Sequence, residues 1–274
     1  MNRVSRVFPL LCLLSLTLGT GAAAAQGPTA PYQPRMGQQG KDVVWIPSPA
    51  ALVEKMLDMA RVTPRDYVID LGSGDGRNVI AAARRGAQAL GVEFNPDLVE
   101  LSQRAAATAG VADKTIFVQG DMFAADISRA TVLVLFLIPD SLARLAPKFL
   151  GLKPGTRIVS NTYEIGGGWE ADETDAITGC ASWCGAHLYI VPATVAGTWR
   201  LPRGELTLTQ EFQYLAGTYE MDGISLPVEN GYMRGDAIRF TVNAVEYSGR
   251  VHGSTIEGMA KGRTTSAWTA IRKP

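Results

Sequence analysis

Thirteen residues constrain this chain more than any others: VIDLGSGDGRNVI at 68–80. A short apolar run ends in Asp70, then Gly72, Gly74 and Gly76 alternate with polar residues, and a helix-forming stretch follows at once. Glycines at that spacing let the backbone turn sharply and approach a ligand closely. The same rhythm continues downstream. The apolar runs YVIDLG, AQALGVEF, TIFVQGD, ATVLVLFLI and TRIVSNTYE alternate with the helical stretches RNVIAAARR, PDLVELSQRAAATAG and SLARLAPKFLGL. In the second helix Asn95 is placed to cap, Pro96 suits the first position and Gly110 the end. Continuously apolar strands separated by helices imply a parallel sheet covered on both faces. LKPG at 152–155 reads as the turn into the fifth strand, and HLYIVPATVAGTW at 187–199 as the last strands of the same sheet. Ahead of the first strand, Ser48 is placed to cap a helix whose face carries Leu52, Val53, Met56, Leu57 and Ala60, with Pro49 at its first position.

In an open parallel sheet the ligand crevice lies outside the carboxyl ends of the strands. Asp70 and the glycine loop sit there. A dinucleotide site uses G-x-G-x-x-G and rests a pyrophosphate on a helix N-terminus. Here the spacing is G-x-G-x-G, flanked by Asp70 and Asp75, whose charges would repel a pyrophosphate. They suit a cationic ligand, and S-adenosylmethionine carries an ammonium and a sulfonium. Glu93 closes the second strand, where a carboxylate accepts from ribose hydroxyls. Asp121 closes the third, where it would accept from the adenine amino group while Met122 and Phe123 pack the ring. The donor-binding residues expected are therefore Asp70, Gly72, Ser73, Gly74, Asp75, Gly76, Glu93, Phe94, Asn95, Asp121 and Met122, with no metal.

On these stretches the chain resembles the class I S-adenosylmethionine-dependent methyltransferases. More narrowly, it is similar to the ATP synthase c-subunit lysine N-methyltransferase family. The resemblance rests on IPSPAALVEKML, DLGSGDGRNVIAAARRGAQALGVEFNPDLVELS, GDMFAADIS and KPGTRIVS, and covers roughly residues 43–199. It implies a seven-stranded Rossmann-like α/β sheet and S-adenosylmethionine as cofactor. It also implies methyl transfer, with a protein lysine amine as the first acceptor to consider. Asp70, Gly72, Gly74, Glu93 and Asp121 carry over as donor-binding positions, and the turn at Pro47–Pro49 is expected near the donor's methionine end.

Methyl transfer is an in-line displacement that asks mainly for proximity and orientation. Phe136–Asp140 at the end of the fourth strand are expected to line the acceptor mouth. Asp140 and Tyr163 are the candidate catalytic residues, with a helix N-cap as the rival role for Asp140. Trp169, after Gly166–Gly168, reads either as part of a mobile lid or as an ordinary packed loop residue. A protein or a small molecule could be the acceptor. A binding protein that kept the fold and lost transfer is the reading from outside enzymology.

The flanks add location and a second fold type. Residues 1–25, with Arg3 and Arg6 before an apolar run ending in alanines, read as a signal peptide, so an exported and periplasmic protein is expected with no membrane span after cleavage. Residues 26–41, rich in Gly, Pro and Gln, read as a flexible linker. The methyltransferase domain is then 42–200 and a β-rich domain 201–274. That second domain follows from short alternating segments punctuated by Asp222-Gly223 and Asn230-Gly231, which predict an antiparallel meander, a small barrel or curled sheet. Cys180 and Cys184 remain after cleavage and are expected to pair in an oxidising compartment, metal binding being the rival. Basic and acidic residues both number 26. That balance speaks against nucleic acid as a partner. Oligomeric state leaves no trace in the sequence.

Overall fold

In a computed structural model that describes residues 1–2 and 32–274, the expected alternation is realised strand by strand. Helix α1 (Ala50–Met59) leads into β1 (Tyr67–Leu71), α2 (Arg77–Arg84), β2 (Gln88–Glu93), α3 (Pro96–Thr108), β3 (Thr115–Gln119), β4 (Val132–Leu135), α4 (Pro139–Leu150) and β5 (Arg157–Asn161). A hairpin, β6 (Glu173–Ala176) and β7 (Gly185–Ile190), completes a seven-stranded sheet of order β3-β2-β1-β4-β5-β7-β6. β1 to β5 are parallel, while β7 runs antiparallel to both β5 and β6. The sheet is therefore mixed. The signal-peptide reading lies outside the described residues.

The period of two along the strands divides the core. On β4, Val132 and Val134 face the layer of α1, α2 and α3, with Leu52, Met56 and Val79. Leu133 and Leu135 face α4 and pack with Phe149, Trp169 and Tyr189. Both faces are thus apolar, which is why the strands read as continuous runs rather than alternating ones. Asn95 caps α3 as expected, its side chain accepting from the Asp97 N–H at 2.9 Å, and Pro96 takes the first position. At α1 the expectation is corrected: Pro49 is the N-cap, and the Ser48 hydroxyl instead accepts from Asn161 Nδ2 at 2.9 Å.

The β-rich part is a closed barrel. β8 (Gly197–Leu201), β9 (Gly204–Glu211), β10 (Tyr214–Met221), β12 (Glu229–Arg234), β13 (Ala237–Val242), β14 (Val245–His252), β15 (Thr255–Lys261) and β16 (Thr265–Arg272) pair in a ring of eight antiparallel strands. β9 closes onto β10, and the short β11 (Ile224–Pro227) hangs from β10 as a hairpin arm. Closure leaves the ring without an edge of its own. Its interior holds Trp199, Leu206, Tyr219, Phe240 and Trp268. The segment Gly197–Leu201 belongs to this barrel and not to the parallel sheet, because Trp199 packs inside the ring.

One further expectation is corrected and one alternative is decided. The described part of the segment 26–41 is not a loose linker: Gly37 N–H donates to the Trp45 carbonyl and Trp45 N–H to the Gln38 carbonyl, both at 2.9 Å. Trp169 takes the second of its two readings, that of an ordinary packed residue. It is 1 % exposed and wedged between Tyr189 and Phe212, with ring centroids 5.2 and 5.9 Å away. Phe212 opens the β9–β10 turn, so this stack ties the sheet to the barrel. Tyr232 adds to the junction, donating to Asp172 at 2.7 Å.

Candidate functional site

The carboxyl ends of β1, β2 and β3 open into one cavity, roofed by residues 38–48. Asp70, Gly72, Ser73, Gly74, Asp75, Glu93, Phe94, Asn95, Asp121 and Met122 all line it, ten of the residues expected there. Gly76 does not. It is the N-cap of α2 with φ 79°, and a Cβ there would lie 2.8 Å from the Phe117 ring and 2.9 Å from Ser102. Its task is to let α2 turn off the loop tightly against α3 and β3.

The loop is held on both sides. Gly72 and Ser73 N–H both donate to the Val92 carbonyl at the end of β2, at 2.8 and 3.1 Å. Ser102 on α3 donates to the Gly74 carbonyl at 3.0 Å. Glu93 accepts from the N–H groups of Gly74 and Asn95, both at 2.9 Å. Glu93 thus fastens the loop to the next strand end while presenting its carboxylate to the cavity.

Asp70 lies at the floor, 2 % exposed. One oxygen accepts from Asn78 Nδ2 at 3.0 Å. The other finds no hydrogen-bond partner among the described residues, and neither do Ser73 Oγ and Asn78 Oδ1 beside it. Buried polar atoms without partners are costly, so such a cluster lining a cavity marks a place where a ligand completes the bonding. Burial pushes the Asp70 carboxyl up to about 8 against the opposing effect of the Asn78 hydrogen bond, and the charges of Glu93 and Asp75 add to the rise. A cationic group seated there would meet a carboxylate whose charge is otherwise unpaired. An amino-acid ammonium fits this requirement.

Asp75 does not share that role. Arg77 grips it with Nε at 2.9 Å and Nη2 at 2.5 Å, and Arg77 Nη1 donates to the Ser48 carbonyl at 2.5 Å. Its charge is spent on an internal clamp that fastens the Pro47–Pro49 turn over the cavity. Asp121 likewise meets a cation of the chain itself. Lys41 donates to it at 2.7 Å and hangs 5.2 Å from the Phe94 ring centroid. The lysine hydrogen bond, with one from the Phe123 N–H, holds the Asp121 carboxyl below the usual range. Trp45 completes the roof, its indole nitrogen 2.8 Å from where a Gly74 Cβ would lie.

On the acceptor side neither candidate lines the donor cavity itself. Asp140 is exposed in the first turn of α4, makes no cap hydrogen bond and does not line the cavity; the N-cap is Ile138. The rival role of N-cap is therefore not realised. Phe136 does line the cavity, and Tyr163 stacks on it with centroids 6.5 Å apart. Sequence reasoning missed the roof residues Lys41 and Trp45 and the buried Asn78. Asn78 carried a signal, as a polar residue on the first turn after the glycine loop. Lys41 carried none, since its segment has the composition of a linker, and Trp45 lies just ahead of the Pro47–Pro49 turn that was expected near the donor. Among the described residues no cluster of His, Cys, Asp and Glu has a metal-binding arrangement.

Comparison with known proteins agrees with this geometry. The ANTKMT methyltransferase domain family matches residues 70–173. A protein-lysine N-methyltransferase of Saccharolobus islandicus is 40% identical over 134 residues, 48% of this chain and 83% of the relative. The ATP synthase c-subunit lysine N-methyltransferase of Xenopus laevis is 37% identical over 42% of this chain, which spans about half (51%) of that relative. The crystal structure of an RNA methyltransferase from Salinibacter ruber with S-adenosyl-L-homocysteine superposes with TM-score 0.52 at 42% identity, covering 55% of this chain and 96% of that one. With the strand order, the glycine loop and the half-satisfied Asp70 carboxyl in place, the chain belongs to the family of S-adenosylmethionine-dependent methyltransferases that includes the Saccharolobus protein.

Proposed function

We propose that this enzyme transfers a methyl group from S-adenosylmethionine to the side-chain amine of a protein lysine. One observation carries the donor half: one oxygen of the buried Asp70, with Ser73 Oγ and Asn78 Oδ1, lacks a bonding partner at the floor of a cavity built from three successive strand ends. When bound, the donor supplies a methyl group on a sulfonium, an electrophile needing no metal. Asp70 holds the amino-acid ammonium. Glu93, fixed by two backbone N–H groups, offers its remaining lone pairs to the ribose, and Asp121 and Met122 lie where the adenine belongs. Phe136 and Tyr163 form the apolar wall through which an acceptor amine reaches the methyl. Desolvation there favours the neutral amine, the form with a free lone pair. As the C–N bond forms and the C–S bond breaks, the positive charge moves from sulfur to nitrogen, and the new ammonium sheds a proton to solvent.

The lysine acceptor is supported by the names of the Saccharolobus and Xenopus relatives. The Salinibacter relative's name speaks of RNA. The zero net charge of this chain weighs against that reading here, since nucleic-acid binding draws on excess lysine and arginine. Incubation with labelled donor tests the proposal. A labelled protein band whose acid hydrolysate contains methylated lysine is the expected result. Label found solely in RNA or small molecules would overturn the acceptor, and no donor binding at millimolar concentration would overturn the site assignment. We also propose that the protein works outside the cytoplasm. The leader-like residues 1–25 support this, and so does the disulfide between Cys180 and Cys184, a bond that persists in oxidising compartments.

A further inference from the structure

The Cys180–Cys184 disulfide lies beside the candidate acceptor entrance rather than in a remote corner of the fold. The two cysteines close the loop joining β6 to β7, with Cα atoms 5.8 Å apart. Trp183, inside that loop, holds φ 55°, a conformation rare for a large side chain. Its ring meets Phe136 edge-on at 6.2 Å between centroids. Phe136 carries Tyr163 on its other contact, stacked at 6.5 Å, and itself lines the donor cavity. The loop is also tied to the end of β5, where Thr162 N–H donates to the Gly185 carbonyl at 2.8 Å. Three aromatic rings from three separate segments, the ends of β4 and β5 and the β6–β7 loop, therefore converge beside the donor cavity. All three are half-buried, so they present ring surface without being consumed by the core.

We infer that Phe136, Tyr163 and Trp183 form an aromatic collar that binds a methylated quaternary ammonium, and that the Cys180–Cys184 bond serves to position Trp183 in it. The inference rests on the lysine reading above and deepens it. Ring faces attract cations electrostatically, more strongly where water is displaced. A collar of this kind holds the aliphatic stem of a lysine and the trimethylated ammonium in which transfer ends. A loop of this length with no crosslink has many conformations. The disulfide removes most of them and keeps the left-handed Trp183 turned onto Phe136. The bond is thus a positioning device, and Trp183 a binding residue.

The test is calorimetric, on the full mature chain, with and without saturating S-adenosylhomocysteine. The probes are an acetyl-trimethyllysine amide and its neutral isostere, in which carbon replaces the quaternary nitrogen. The cation is expected to bind at least about fivefold tighter than the isostere. Trp183→Ala is expected to abolish that preference, Trp183→Phe to retain most of it, and the double variant Cys180→Ser, Cys184→Ser to reduce it, while all three bind S-adenosylhomocysteine as the parent does. Equal binding of the two probes by the parent, or an undiminished preference in Trp183→Ala, would overturn the collar. An undiminished preference in the double serine variant would overturn the positioning role of the disulfide. The proposed function fails differently, by absence of methylated lysine in the parent, whatever the collar binds.

Discussion

Asp70 concentrates the chemistry of the donor site in one carboxyl. Its folded-state pKa is pushed up to about 8. Between the ordinary carboxylate range and that value, the folded protein holds a proton that the unfolded chain releases. Through this group, stability falls as pH rises across that window. A ligand ammonium stabilises the ionised form, so binding near neutral pH must expel the proton. Calorimetry of S-adenosylhomocysteine at pH 7 in two buffers of different ionisation enthalpy is expected to show net proton release. Asp70→Asn is expected to abolish the release and weaken binding about tenfold or more; unchanged release in that variant would refute the assignment. Gly76 makes the opposite kind of contribution, to the fold alone. Gly76→Ala forces a Cβ into the Phe117 ring at a positive φ and is expected to cost about 1–3 kcal/mol in denaturant unfolding. The carboxylates at the strand ends were legible because each occupies a strand terminus in the linear sequence. Which of them stays free was not: Lys41 reaches Asp121 only after folding, and the neighbouring Arg77 is fixed on Asp75 by its second bond, to the Ser48 carbonyl.

Among the elements, the segment over the cavity departs most from what its composition implied. Residues rich in Gly, Pro and Gln read as a linker because they contain no apolar period. Yet Lys41 at its end docks on Asp121, and Trp45 just beyond it on Gly74, contacts with no periodic signature. The clamp from Arg77 to Asp75 and the Ser48 carbonyl holds the start of α1 against the loop. Arg77→Ala is expected to weaken donor binding about fivefold, the equivalent of one hydrogen bond. Faster amide exchange over residues 46–52 would accompany it. Normal exchange there with weakened binding would point to a direct ligand contact instead. The helices and first five strands matched expectation because their signals are local, from caps and apolar runs. Strand β7 was also expected, from HLYI, but β6 was not, since all four β6 residues are exposed and only pairing with β7 makes them a strand.

For the molecule as a whole, the sheet and the barrel meet at Trp169. Of the two readings of this glycine-preceded tryptophan, lid or packed loop residue, the barrel selects the second and makes it part of a core. Trp169→Ala removes a buried ring between Tyr189 and Phe212 and is expected to destabilise by about 3–5 kcal/mol. The unfolding curve is expected to split in two if the halves depend on this junction. The location can be read from mass: the protein purified from its native host is expected to begin near residue 26 and to contain no free thiol. An intact Met1, or two titratable thiols, would refute export.

Chain order alone carried the five parallel strands, the glycine loop and the acidic residues at three strand ends, because each depends on residues adjacent or one helical turn apart. It also carried the β-rich texture of the last quarter. Closure of those strands into a barrel, the roof over the cavity, the pairing of Asp121 with Lys41 and the convergence of Phe136, Tyr163 and Trp183 came from tertiary structure. Each of these joins residues far apart in sequence through shape and charge complementarity, which no local pattern records.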